Sequence, residues 1–217
     1  MISMTDKKTI DVVEKILEDS KKLDHKFKES IDLVFNLKNI DLNVPKNRID
    51  EEIVLPHGRG KEAKIALFAS GELAMKNKKN VDLLIKPEEI ESFSSDKKKF
   101  KKIAEEHDFF VSEAPLMPTI GKSLGTVLGP RGKMPKPVPP GADISDTINN
   151  LRKTVKVRSK ANNTFHTIAG TADMDKKQIA ENVNAILRRI EGSLERGKMN
   201  IKSAYLKTTM GPTERLI

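Results

Sequence analysis

The segment GKSLGTVLGPRGKMPKPVPPG, residues 121–141, contains the residue types from which phosphate-binding loops are built. A P-loop requires G-x-x-x-x-G-K-[ST], so that backbone amides surround the phosphates while the lysine and the hydroxyl serve phosphate and Mg²⁺. Gly121-Lys122-Ser123 matches the end of this motif, but Leu116 stands where its first glycine is required. Gly132-Lys133 fails as well, because Met134 replaces the hydroxyl. The stretch GTVLGPRG does not match the dinucleotide pattern G-x-G-x-x-G either, so neither nucleotide site is predicted here.

Residues that commonly carry catalysis or bind metals are few and scattered. The chain has no cysteine, which excludes disulfides, cysteine zinc sites and thiol catalysis. No histidine belongs to an H-E-x-x-H zinc motif, and the adjacent carboxylates at 50–52 and 88–89 are typical of solvated faces or helix starts. The histidines are His25, His57, His107 and His166. We expect no enzymatic activity, no cofactor and no metal, although a site assembled from distant residues keeps an enzyme open as an alternative.

Two clusters of polar and basic residues suit contacts with nucleic acid. The segment LRKTVKVRSK (151–160) has no acidic residue, and on a strand its Lys156, Arg158 and Lys160 share one face. Such a stripe is either a solvated edge that opposes aggregation or a surface that follows a phosphate backbone. The segment KTTMGP (207–212) offers hydroxyls, a glycine that permits close approach and an adaptable methionine, which suit an RNA minor groove.

Alternating side chains in ESIDLVFNLK (29–38) predict a strand with one buried and one mostly polar face. The buried side carries Ile31, Leu33, Phe35 and Leu37, and the other side carries Ser30, Asp32, Val34, Asn36 and Lys38. Amphipathic helices are predicted within 6–21 and 175–198, where apolar residues recur at helical spacing. These elements near the two ends each need a partner to bury their apolar sides.

The middle of the chain has a different pattern. Short, nearly continuous apolar runs at 64–69, 81–86 and 108–113 alternate with helical segments. This order predicts βαβ units and a parallel sheet that is covered on both faces. One helical segment contains the lysine run KKKFKK (97–102), which we interpret as a solvated face, and the glycine- and proline-rich segment 121–141 is expected to form a loop.

We therefore predict an α/β (α+β) fold with two domains. Residues 1–65 and 156–217 form a split α+β domain from both termini, and residues 66–155 form an inserted Rossmann-like α/β domain.

The charge and aromatic content of the chain bear on its partner. The 40 Lys and Arg outnumber the 31 Asp and Glu, which gives a net charge of +9 and makes a polyanionic partner plausible. With no Trp and one Tyr, the chain has few platforms for stacking single strands, so a folded RNA fits better than an extended strand. No signal peptide or membrane-spanning run is found, and we expect a cytoplasmic protein.

Several stretches together resemble the ribosomal protein L-one family, the large-subunit protein of the mobile stalk beside the exit site. They are KFKES, LPHGRGK, GKSLGTVLGPRGKMPKP, NNTFHTIAG and YLKTTMGP, in this order along nearly the whole chain. The stretch NLKNIDLNVPKNRIDEE is more similar to the archaeal and eukaryotic branch than to the bacterial one. The resemblance implies a split α+β domain, an inserted Rossmann-like domain and a hinge between them.

The resemblance also implies which residues bind RNA. The family holds a bulged helical element of large-subunit ribosomal RNA chiefly with its first domain. Carried onto the matching positions, the RNA-binding residues are Lys26, Phe27, Glu29, Ser30, Thr164, His166, Ser203, Thr208, Thr209, Met210 and Gly211. Lys38, Arg158 and Lys160 are added from their basic faces. We expect a secondary RNA contact or an interdomain role for Lys122, Arg131, Lys133 and Lys136.

The partners implied by the resemblance are large-subunit ribosomal RNA, the chain's own messenger RNA in a repressor role, and the exit-site tRNA within the ribosome. We expect no membrane partner and a monomer when the protein is free. Two alternatives remain open at this point. One is a ribosome-biogenesis or general RNA-binding paralogue of the same family, and the other is a nucleotide-using α/β enzyme built on the inserted domain.

Overall fold

A computed structural model describes residues 4–22, 26–77, 80–141 and 144–217. These residues form two compact units: a terminal unit, Met1–Glu62 with Lys153–Ile217, and an inserted unit, Ala63–Arg152. Both junctions lie three residues before the sequence-based boundaries, and independent folding of the two units stays a prediction. No helix within the described residues is long and apolar enough to cross a membrane. His25 lies outside the described residues.

The terminal unit is built on an antiparallel sheet with the strand order β10-β9-β1-β8. Its strands are β1 (Ser30–Leu37), β8 (Thr164–Thr171), β9 (Ile201–Thr208) and β10 (Thr213–Arg215). The alternation predicted for 30–37 is confirmed, because Ile31, Leu33, Phe35 and Leu37 are all buried. Two helices, α1 (Met4–Lys22) and α7 (Lys176–Ser193), contribute their apolar stripes to the same core. One face of the sheet is therefore covered by helices.

A second sheet of the terminal unit contains β2 (Asp50–Val54) and β7 (Thr154–Arg158), paired antiparallel. β7 and β8 follow one another in the chain but do not form a hairpin, because they belong to different sheets. The chain changes sheet through a turn in which Asn162 N donates to Ser159 O (3.0 Å) and Lys160 has a φ of 50°.

A bulge in β8 is supported by a buried asparagine of α7. The register of β1 against β8 shifts between Ile31 and Asp32, so Ala169 has no direct partner. Asn182 Nδ2 donates to Ala169 O (3.0 Å) and to Gly58 O (2.7 Å), and its Oδ1 accepts from His57 N (3.2 Å). The fully buried side-chain amide of Asn182 thus binds the backbone carbonyl in the bulge and also holds the LPHGRGK segment in place.

The inserted unit has a parallel sheet with the strand order β4-β3-β5-β6. Its strands are β3 (Ile65–Phe68), β4 (Leu83–Ile85), β5 (Phe109–Glu113) and β6 (Lys136–Val138), and its helices are α2 (Gly71–Asn77), α3 (Pro87–Ser95), α4 (Lys97–Glu106), α5 (Met117–Arg131) and α6 (Ser145–Arg152). Two separate clusters of buried residues, one with members from α2 and α6 and the other with members from α3, α4 and α5, cover the two faces. The predicted α/β architecture is confirmed.

The expected loop over residues 121–141 is wrong for its first half, which belongs to α5. Ile120, Leu124, Val127 and Leu128 form a buried stripe at helical spacing, and its burial outweighs the low helix propensity of the glycines. The helix ends at Gly132, which has a φ of 66° and closes the last turn. The segment G-x-S-x-G at 121–125 lies inside this helix, whereas a catalytic nucleophile elbow requires a strand-to-helix turn.

Candidate nucleic-acid interface

The face of the terminal sheet that the helices leave uncovered carries its side chains in cross-strand rows. Residues directly opposite one another in an antiparallel pair project to the same face. The first row joins Ser203, Asn36 and Thr164 across β9, β1 and β8. Thr164 Oγ1 donates to Asn36 Oδ1 at 2.8 Å, and Asn36 Nδ2 donates to Ser203 Oγ at 3.0 Å. This hydrogen-bonded row fixes the rotamers of three polar side chains.

The second row crosses all four strands. Arg215 of β10 is opposite Tyr205, Tyr205 is opposite Val34, and Val34 is opposite His166. The lone tyrosine of the chain is half-buried within this row, while His166 and Arg215 are exposed. The row therefore offers an aromatic and aliphatic centre between a cation and an imidazole, which is suited to an unpaired base or a ribose.

The third row contains an acid whose ionisation is disfavoured. Asp32 is opposite Lys207 on one side and Ile168 on the other, and Thr213 continues the row on β10. Burial raises the pKa of Asp32 above its usual 3.8, and the charges of His166 and Lys207 partly oppose this. An acid kept in such a position is an acceptor for hydroxyl or amino groups of a ligand.

Two of the sequence stretches meet at one end of the sheet. Ser30 N donates to Thr209 Oγ1 at 3.2 Å, and Thr209 Oγ1 is 3.3 Å from Ser30 O, to which it donates. One threonine hydroxyl thus ties the start of β1 to the turn after β9. Phe27 and Met210, close in sequence to this junction, are 53% and 60% exposed, which is unusual for apolar side chains.

The TTMGP turn is shaped by its buried threonine. Thr208 Oγ1 accepts a hydrogen bond from Gly211 N at 3.1 Å, and a side chain added at Gly211 would overlap that hydroxyl. Thr208 was expected to present its hydroxyl to RNA. The structure buries this side chain completely, so its role is to hold the turn that exposes Met210.

The stretch LPHGRGK and the end of β8 meet beside the same end of the sheet. Lys28 Nζ donates to Asp173 Oδ2 at 2.7 Å, and Thr171 Oγ1 donates to Asp173 Oδ1 at 2.5 Å. These bonds lower the pKa of Asp173 to about 2, with the bond from Lys28 as the largest cause. Gly60 lies against the side chain of Thr171 with a φ of 79°, so only glycine fits there.

The other predicted RNA-binding residues divide into an exposed group and a buried group. Lys26, Lys38 and Thr164 are exposed, and Gly211 is half-buried. Glu29 is only 3% exposed and accepts from Ser20 Oγ at 3.0 Å, and Ser203 is buried beside Asn36. Glu29 therefore lies beneath the surface just before β1, and its contact with RNA stays a prediction.

The predicted basic stripe on β7 is not a stripe of free cations. Arg158 Nε lies 3.0 Å from Asp50 Oδ2, and Lys156 lies within 3.6 Å of Glu52 Oε1, both acids on the neighbouring strand β2. Lys160 lies beyond the strand, in the turn that follows it. The acids that balance this stripe come from a strand about a hundred residues away, so the local sequence could not reveal them.

Two of the four residues of the expected secondary contact, Arg131 and Lys133, contact other parts of the inserted unit. Arg131 pairs with Glu105 at 2.9 Å, and Lys133 Nζ donates to Ala104 O and His107 O at 2.8 Å each. Lys136 is half-buried on β6, whereas Lys122 is exposed on α5. Of the four residues, Arg131 and Lys133 therefore bind the end of α4, and a secondary RNA contact by this set stays a prediction.

Several residues of the exposed face were not among the predicted site residues. They are Asp32, Val34, Asn36, Tyr205, Lys207, Thr213 and Arg215. The alternation within β1 already placed Asp32, Val34 and Asn36 on the polar side, and that signal could have identified them. No group of three or more His, Cys, Asp or Glu that could hold a metal ion occurs among the residues that the structure describes.

The chain is similar to known ribosomal proteins over nearly its whole length. A family model described as the ribosomal protein L1p/L10e family matches residues 16–212. The chain is 51% identical over 215 residues to the large ribosomal subunit protein uL1 of Methanocella arvoryzae, covering 99% of this chain and 100% of the relative. It is 55% identical over 186 residues to the protein of the same name from Thermoplasma volcanium, with 86% of each chain covered. The corresponding protein of Haloferax volcanii is 47% identical over 204 residues, with 94% of this chain and 95% of the relative covered.

Proposed function

The chain belongs to the ribosomal protein L1p/L10e family, and from this premise we propose that the exposed face of its terminal sheet is where it binds ribosomal RNA. As a member of the family, it is a structural component of the large ribosomal subunit, located in the cytoplasmic ribosome, and not an enzyme. Binding of ribosomal RNA is general for the family. The location and chemistry of the binding surface in this chain are our proposal.

The observation that supports this site is the hydrogen-bonded row Ser203–Asn36–Thr164 beside the row Arg215–Tyr205–Val34–His166. RNA differs from DNA by its 2′-hydroxyls, which both donate and accept hydrogen bonds. Hydroxyl and amide groups at fixed positions on the sheet match such partners. The half-buried tyrosine and the exposed Met210 add apolar contact for bases and riboses.

Recognition by this face is preorganised. The Ser30–Thr209 and Gly211–Thr208 bonds fix the end of the sheet, and the Lys28–Asp173 pair fixes the adjacent segment. Little side-chain entropy is then lost on binding, which raises affinity without further contacts. Peripheral cations such as Lys26 and Lys38, both exposed, supply the part of the affinity that depends on salt.

We further propose that the same face binds a segment of the chain's own messenger RNA that mimics the ribosomal site, and thereby represses its translation. A surface that recognises shape and 2′-hydroxyls accepts any RNA with the same fold, which is the physical basis for such mimicry. The third expected partner, the exit-site tRNA, and the monomeric state of the free protein are proposed on the same family grounds.

The test is a salt titration of binding by the full chain to a transcript of the ribosomal stalk hairpin and to its all-deoxy counterpart. The proposal predicts a strong preference for RNA that persists as salt rises, because hydrogen bonds to 2′-hydroxyls are not screened. Equal affinity for both hairpins, falling in parallel with salt, would mean generic charge attraction and would remove the assignment of the sheet face.

A further inference from the structure

Helix α4 carries its charges in an order that opposes its own stability. Lysines fill positions 97–99, 101 and 102, while Glu105 and Glu106 end the helix. The N-terminus of a helix is the positive end of its macrodipole, where acids are favoured and cations are not. Lys97 and Lys101 are four residues apart, as are Lys98 and Lys102, and like charges at that spacing repel. Lys97 and Lys98 therefore oppose the helix that carries them, whereas Lys101 and Lys102 are four residues before Glu105 and Glu106, a spacing that favours opposite charges.

Groups outside the lysine run hold α4 in place. Asp96 is the N-cap residue and accepts from Lys99 N at 3.3 Å, a bond that lowers the pKa of the Asp96 carboxyl. At the other end, Lys133 donates to two carbonyls, those of Ala104 and His107. A cation at this end complements the dipole. Asp96 thus provides a negative charge at the N-terminus of α4, and Lys133 provides a positive charge at its C-terminus.

The lysines form one exposed surface with no apolar element. Phe100 and Ala104 are buried in the core of the inserted unit, whereas all five lysines are exposed. Lys99 is paired with Asp96 at 3.4 Å. Among the residues that the structure describes, no carboxylate forms an ion pair with the other four. We call Lys97, Lys98, Lys101 and Lys102 the lysine face.

We propose that the lysine face is a second RNA-binding surface, which neutralises phosphates and reads no bases. The inference rests on the proposed function, because that function places the chain on RNA. Lysine is a compact point charge on a flexible stem and lacks the rigid planar fork of arginine, so it suits phosphate more than the fixed donor pattern of a base edge. The aromatic residue of the run, Phe100, is buried and cannot stack on a base. An acidic protein partner fits less well, because protein interfaces use aromatic or aliphatic anchors.

A local charge order that costs helix stability is expected at functional sites, where other requirements override it. The opposite interpretation, a merely solvated helix face, predicts no such conflict. Solvation would be served equally well by acids in the first turn and lysines in the last. Lysines also begin α7, at Lys176 and Lys177. What distinguishes the lysine face is its two lysine pairs at a spacing of four residues, Lys97 with Lys101 and Lys98 with Lys102.

The experiment measures the dependence of RNA affinity on salt concentration for the full chain. The probe is a transcript of the large-subunit ribosomal RNA stalk with its flanking helices. In the test variant, Lys97, Lys98, Lys101 and Lys102 are all replaced by glutamine. In the matched control, four exposed lysines of the helical layer of the terminal unit, Lys7, Lys8, Lys21 and Lys177, are replaced by glutamine, which changes the net charge equally.

Each phosphate neutralised contributes roughly 0.7 to 0.9 to the slope of log K against log salt. We expect the test variant to lose about three units of slope, the control to keep the wild-type slope, and a variant with arginine at the four positions to keep it as well. An unchanged slope in the test variant, or an equal loss in the control, would overturn the proposal. If wild type itself fails to prefer RNA over its deoxy counterpart, the proposed function fails instead.

A second measurement separates binding from folding. Glutamine removes the repulsion within α4 while keeping high helix propensity. The test variant is therefore expected to unfold at the same temperature as wild type or a higher one. A lower midpoint would show that the lysines support the structure, and the proposal would then be withdrawn.

Discussion

The hydroxyl of Thr209 accepts a hydrogen bond from Ser30 N and donates one to Ser30 O, over distances of 3.2 and 3.3 Å. The two residues are 179 positions apart in the chain. A single side chain therefore closes the sheet at the point where β1 begins and β9 ends. Both exposed apolar residues of this region, Phe27 and Met210, are next to or near this junction in sequence.

Replacing Thr209 should test this junction. Thr209→Ala removes both bonds, and we expect a loss of about 1 kcal/mol in the free energy of unfolding together with weaker binding of the stalk RNA. Thr209→Ser keeps the hydroxyl and is the matched control. Urea denaturation and RNA titration of the two variants measure the effects. The interpretation fails if serine and alanine behave alike.

Asn36 is the centre of the hydrogen-bonded row. Asn36→Ala leaves the hydroxyls of Thr164 and Ser203 without their bonds to the amide. We expect RNA affinity to fall by about tenfold, equivalent to roughly 1.4 kcal/mol, with an unchanged salt slope because no charge is lost. Asn162→Ala, in the exposed turn before β8, is the control. An unchanged affinity at fixed salt, or a change in the salt slope, would contradict the role assigned to this row.

The ionisation of Asp32 should be visible in the dependence of stability on pH. Its raised pKa means that the folded state binds the proton more tightly than the unfolded state. The resulting stabilisation is fully present below the ordinary pKa of 3.8 and is lost as pH rises through the raised value. Asp32→Asn cannot ionise, so its melting temperature should exceed that of wild type at pH 7 by more than it does below pH 3.8.

The control for Asp32 is Asp96, a carboxyl whose pKa is shifted in the opposite direction. The hydrogen bond from the backbone amide of Lys99 is the largest cause of the lowered pKa of Asp96. The charged form of this carboxyl therefore stabilises the fold. Asp96→Asn should therefore melt below wild type at pH 7, and the difference should shrink as pH falls below 3.8. Thermal unfolding between pH 3 and 8 measures both. A lower melting temperature for Asp32→Asn at pH 7 would refute the burial effect.

Gly60 should tolerate no side chain. Gly60→Ala combines a positive φ with overlap against the side chain of Thr171, and we expect a loss of at least about 2 kcal/mol. Gly71→Ala has a φ of 48° but open space around it, so only the conformational cost of about 1 kcal/mol is expected there. Equal losses at the two glycines, measured by denaturant unfolding, would argue against the close packing of Gly60 on Thr171.

The sequence predicted the local features of the site better than its non-local ones. The alternation around Phe35 identified the polar face of β1, because side chains of a strand alternate with a period of two. It could not identify Tyr205 and Arg215 as neighbours of Val34, since that depends on strand pairing across most of the chain. Nor could it show that Asp50 balances Arg158, because β2 and β7 pair only in the folded unit.

The glycine- and proline-rich segment shows the opposite case, in which local composition was misleading. Its glycines and prolines predicted a loop, but the buried stripe that includes Leu124 and Leu128 makes residues 117–131 helical. Pro118 stands in the first turn, where a missing N–H costs nothing, and Pro130 stands in the last. Tertiary burial, which propensity does not contain, decided the conformation.

The most direct test of the RNA-binding face compares two double variants at one salt concentration. His166→Ala/Met210→Ala changes exposed side chains of the sheet face and its turn, and Lys7→Gln/Lys8→Gln changes exposed side chains of helix α1. Equilibrium binding of the ribosomal stalk RNA should weaken by tenfold or more, about 1.4 kcal/mol, in the first variant and by much less in the second. Unchanged affinity in the first variant, or an equal loss in both, would contradict recognition by the sheet face.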